Sequence, residues 1–144
     1  MSVAKWYGAA PGHLAQARVN LLTDAIKCAL LTNAYAPDQD AHAWWSDVLA
    51  VQAVGAGYVA GGQALTTVAL TYVPAGNMLV FSADPVIWTP VTVTARYAVV
   101  YKDTGVPATS PLLLYVDGQA DYVSVGGFFR VSWNPAGIGD VVVA

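Results

Sequence analysis

Apolar and polar residues alternate with period two through most of the second half of the chain, the pattern of half-buried β-strands. The clearest stretch is 92–102. There Val93, Ala95, Tyr97, Val99 and Tyr101 fall on one face, and Thr92, Thr94, Arg96 and Lys102 on the other. A strand is expected over 66–73, then a turn at Pro74, Gly76 and Asn77. The next runs over 78–81 and stops at Asp84 and Pro85. Another covers 112–116 and is ended by Asp117 and Gly118. The last, over 128–133, sets Phe129, Val131 and Trp133 against Phe128, Arg130 and Ser132 before Asn134, Pro135 and Gly137 close it.

The first third reads differently. Leu14, Arg18, Leu21 and Leu22 recur near helical spacing behind Pro11, which predicts a helix over 11–22. Residues 25–32 form a short apolar run, read as a strand with Ile26, Cys28 and Leu30 opposite Lys27. Residues 33–47 read as a loop. GAGYVAGG at 55–62 suits a turn or a tight crossing of backbones. Short strands with turn signals between them predict a mainly β fold with one short N-terminal helix. The sheet is an antiparallel β-sandwich or a barrel-like sheet, in a single domain over 1–144.

Composition narrows the function. The 144 residues include 6 Lys and Arg, 9 Asp and no Glu, and no cation lies between Lys27 and Arg96. Charged residues make up 10% against roughly 25% in an average soluble domain, while 56% are hydrophobic. A surface so poor in charge implies that other protein covers much of it. The net charge of −3 and pI of about 4.9 argue against a nucleic-acid partner, whose phosphates call for a basic stripe. Mean hydropathy is high at +0.50, but the richest stretch, 48–64, is broken by Gly55, Gly57, Gly61 and Gly62 and has no basic flank. No membrane span, signal peptide or lipid anchor is expected.

Candidate chemistry is sparse. Gly55, Gly57, Gly61 and Gly62 lack the spacing and the following Lys of a phosphate loop, so no cofactor is expected. Asp38, Asp40, His42 and Asp47 resemble a calcium loop without its glycine and closing glutamate, and read better as a solvated loop with self-bonded aspartates. With His13 and His42 the only histidines, no Gly-x-Ser-x-Gly elbow and Cys28 in an apolar run, no catalytic residue is assigned and no enzymatic activity expected. Cys28 reads as a buried, inert thiol. Trp6, Tyr7, Trp44 and Trp45 lie outside the expected strands and suit either core or interface. With Lys5 they make the candidate contact set, carried by the N-terminal arm 1–8 and the Trp44–Trp45 loop.

Several segments stand in a telling order: KWYG (5–8), IKCALLTNAYAPDQDAHAWWSDV (26–48), GAGYVAGGQALT (55–66), ARYAVVYKDTG (95–105), TSPLLLYVD (109–117) and FRVSWNPAGI (129–138). In these the chain resembles a family of small virion structural proteins of tailed bacteriophages and prophages. The resemblance carries no catalytic motif. It implies a particle component made in the host cytoplasm and resident in the virion. The reading reached is a capsid decoration (cement) protein that is a homo-oligomer, with a trimer as one arrangement, and binds the major capsid protein or other virion proteins. The alternatives are a tail or head-fibre component and a receptor- or carbohydrate-binding module using exposed aromatics.

Overall fold

A computed structural model describes residues 3–142. Eight strands form two antiparallel sheets: β1 (Val3–Trp6), β2 (Ile26–Leu31), β3 (Gln63–Ala64), β4 (Ala69–Val73), β5 (Met78–Ser82), β6 (Val86–Lys102), β7 (Leu112–Val131) and β8 (Gly139–Val142). The larger sheet has the order β1-β7-β6-β2-β3 and the smaller β4-β5-β8. The architecture is sandwich-like, mainly β and not a closed barrel. Helix α1 (Ala10–Ala15) is the one α-helix among the described residues.

The expected helix over 11–22 is cut short. Ala17 adopts φ 56, and the Arg18 amide donates to the His13 carbonyl at 3.0 Å. This left-handed C-terminal motif ends a helix in one turn. Val19 and Leu21 are thereby freed to pack beside Ile26 and Phe81, and Asn20 bonds Leu22 and Asp24 into a turn.

The strands at 112–116 and 128–133 are one strand. Asp117 and Gly118 mark an irregularity rather than an end. Tyr97 of β6 faces Asp117, and Ala95 faces Tyr122, so β7 takes five residues where β6 takes two. Gln119, at φ 63, turns the chain within that step, and the Asp117 carboxylate accepts its amide at 2.7 Å. The strand expected over 92–102 likewise begins earlier, at Val86. Its single apolar face is divided. Val93 and Ala95 pack with Cys28, Leu30 and Trp88, whereas Tyr97, Val99 and Tyr101 pack with Leu31 and Trp45.

The middle of the larger sheet is covered on both sides, which explains the continuous apolar runs at 98–101 and 112–115. One side carries the 33–51 segment and an aromatic cluster of Tyr7, Tyr35, Trp45, Tyr97, Tyr101 and Tyr115. The other carries Phe81 of the smaller sheet, Ile138 and the Trp88 group. The glycine-rich 55–62 stretch does cross other backbone closely. A Cβ on Gly62, which sits at φ +79, would lie 1.9 Å from the Cys28 carbonyl oxygen, and one on Gly55 1.8 Å from that of Thr92.

Candidate functional site

The five candidate contact residues separate into two groups. Met1 and Ser2 of the expected arm lie outside the described residues, and the rest of it is no free arm. Val3–Trp6 pairs with β7, Lys5 facing Tyr115. Lys5 is exposed. Trp6, a strand residue contrary to expectation, is half-buried against the Ile138 and Leu114 cluster. Tyr7, just past the strand, turns to the opposite side and is 0% exposed. Its hydroxyl lies 2.7 Å from that of Tyr35, and its ring 5.3 Å from Tyr115.

Trp44 and Trp45 also part company. The Trp45 amide donates to the Ser110 carbonyl at 2.8 Å, which pins a 3₁₀ turn over β6. The Trp45 ring stacks on Tyr101 at 4.4 Å and 5° and is 4% exposed. Tyr7 and Trp45 are therefore core residues, because they sit on the side of the sheet that the 33–51 segment covers. Trp44 is half-buried between His13, at 4.7 Å, and the Arg18 guanidinium, at 5.9 Å.

The acidic loop around Trp44 uses its side chains on its own backbone. Asp38 Oδ1 accepts the amides of Asp40 and Ala41, and Asp47 Oδ2 those of Ala43 and Trp44. His42 Nδ1 faces the Asp38 amide at 3.4 Å, so it acts as acceptor and the Tyr35 hydroxyl donates to it at 3.1 Å. The direction then propagates inward: Tyr7 donates to Tyr35. Burial, and then this bond to Tyr35, push the Tyr7 hydroxyl far above its ordinary pKa, and burial pushes Tyr35 up to about 12. Among the described residues no group of three or more His, Cys or Asp side chains is arranged to hold a metal ion.

Two buried nitrogens, His13 Nδ1 and Trp88 Nε1, have no hydrogen-bond partner among the described residues. His13 Nε2 lies 3.3 Å from the Ala43 carbonyl, which makes Nε2 the protonated nitrogen. Burial lowers the His13 pKa, and the nearby Arg18 charge lowers it further, against the Ala43 bond. Cys28 is fully buried in β2, and burial alone pushes its thiol far up. Its nucleophilic form is suppressed.

Three of the cations are paired with aspartates. Lys27 meets Asp103 at 2.6 Å, Lys102 meets Asp24 at 3.0 Å, and Arg96 grips both oxygens of Asp117 at 3.0 and 3.2 Å. Arg130 has no carboxylate partner among the described residues. It borders a groove of about 390 Å³ whose walls include Val116, Tyr122, Val123, Phe128 and Phe129. This part of β7 carries the apolar exposure that the sequence reading missed: Val125 is 80% exposed and Phe128 67%. The alternation of Val123, Ser124 and Val125 was the available signal, hidden by the stop read at Asp117. Val54, at 84%, and Val59, at 71%, are also exposed, at and beside the glycine-rich crossing. No described helix is long and apolar enough to cross a membrane. No family model, curated protein or solved structure matches the chain.

Proposed function

We propose that the protein is a structural component of a tailed-phage particle, most simply a decoration protein on the outside of the head. The observation that carries this reading is the coexistence of few charges with bare apolar side chains. Val54, Val59, Val123, Val125 and Phe128 stand in water on a chain in which 10% of residues are charged. Such surfaces mark contact with other protein. A lattice component meets its neighbours in many copies, and each copy bound favours the assembled shell by mass action. Several weak contacts reinforce one another when one oligomer spans several capsid subunits.

The arrangement supports a non-catalytic role. Its polar side chains hold backbone, and Cys28 is buried. A carbohydrate platform gains little support, since Trp44 is wedged between His13 and Arg18. The test is quantitative protein composition of purified particles, with localisation by electron microscopy. Copy numbers comparable to those of the capsid subunit, on the head exterior, are expected. A few copies at the tail would move the assignment to a tail part, and absence from particles would end it.

A further inference from the structure

β7 continues well past the strand that protects it. β1 covers its outer edge only from Leu114 to Asp117, while β6 follows its inner edge to Val131. Among the described residues no strand pairs the outer edge over 118–131. Free edges are usually blunted by lysine, proline, inward-pointing charge or a bulge. Over 118–131 this one has no lysine and no proline, and the device it carries is a bulge. It carries exposed Tyr122, Val123, Val125 and Phe128, with one extra residue between Ser124 and Gly127 opposite Val91–Val93. Its two charged residues are Asp121 and Arg130.

We propose that this edge pairs with the same edge of a second copy, antiparallel about a two-fold axis. The charges select the register. With Val125 facing the partner's Gly126, Val123 faces the partner's Phe128 and Asp121 faces the partner's Arg130. Symmetry repeats each pair. A shift of two residues either way sets both charges against uncharged side chains, so the ladder has one favoured alignment. Each monomer is prepared for it. Among the described residues Arg130 has no carboxylate partner; Asp121 lies within electrostatic reach of Arg96 and accepts from Asn33 at 2.8 Å through Oδ2, which leaves Oδ1 without a hydrogen bond there. The bulge at Gly126 (φ +65) falls on the axis and divides the ladder into two arms. The contact is isologous and closes on itself, so it makes pairs; a trimer needs a further contact elsewhere. It requires no particle.

Sedimentation equilibrium of the full-length protein, free of particles, tests this. The wild type is expected to show a concentration-dependent dimer. Asp121→Arg and Arg130→Asp, each setting like charges opposite one another twice per dimer, are expected to weaken it about tenfold or more. The double exchange D121R/R130D is expected to restore it. Val123→Lys, at an exposed position, is expected to leave a folded monomer by circular dichroism, and it supplies the answer if either single charge variant fails to fold. A wild type monomeric at every concentration, a dimer that survives Val123→Lys, or a double exchange as weak as the single ones overturns the proposal.

Discussion

Trp44 and Trp45 are neighbours in the chain and strangers in the fold. Trp45→Ala removes a stacked ring from the core and is expected to cost about 3–5 kcal/mol, as large aromatic truncations do. Trp44→Ala leaves the core intact and is expected to cost about 1 kcal/mol or less. Denaturant unfolding separates the two. His13 makes a pH prediction. Its folded pKa lies below the ordinary value near 6.5, so the unfolded chain binds the proton first as pH falls. His13 thus lowers stability as pH drops below about 6.5, and not above it. His13→Gln is expected to flatten the melting temperature over that range. Burial of Cys28 was legible from its apolar neighbours. The inward turn of Tyr7 and Trp45 was not, because it depends on which side of the sheet the 33–51 segment lands.

At the level of elements, the Tyr7–Tyr35–His42 chain fastens that segment to the sheet. Tyr35→Phe deletes its middle and leaves the buried Tyr7 hydroxyl without its acceptor, at an expected cost of about 1–3 kcal/mol in unfolding free energy. The crossing at Gly62 is tighter still. Gly62→Ala meets both the Cys28 carbonyl and a positive φ, and is expected to cost about 3 kcal/mol. Strand positions followed from alternation because period two records burial on one face. Strand lengths did not. Asp117 and Gly118 are turn residues, and here they turn the chain away from β6 over 118–121 before it pairs again at Tyr122. The helix was overestimated for a related reason. Leu21 and Leu22 suit the periodicity, but Ala17 has already left the helix. The free edge of β7 was invisible for as long as the strand was taken to stop at Val116.

At the scale of the whole molecule, the ion pairs among the described residues sit on three carboxylates. Asp103 and Asp117 are held below their ordinary value of 3.8 by Lys27 and Arg96, and Asp24 by the Asn20 amide and then Lys102. Their contribution is complete above about pH 5 and is lost as pH falls through the lowered values. Acid unfolding monitored by tyrosine and tryptophan fluorescence should show this loss below about pH 4, separate from the His13 step. At the alkaline end, Tyr35 and Tyr58 are both pushed up to about 12 by burial, so stability is expected to fall once free tyrosine ionises near pH 10. The placement of Cys28 has a practical consequence. A lone sulfur sealed in the middle of the central strands meets an alkylating reagent only when those strands part. The rate of its labelling would therefore time the opening of the fold, molecule by molecule, without any engineered probe.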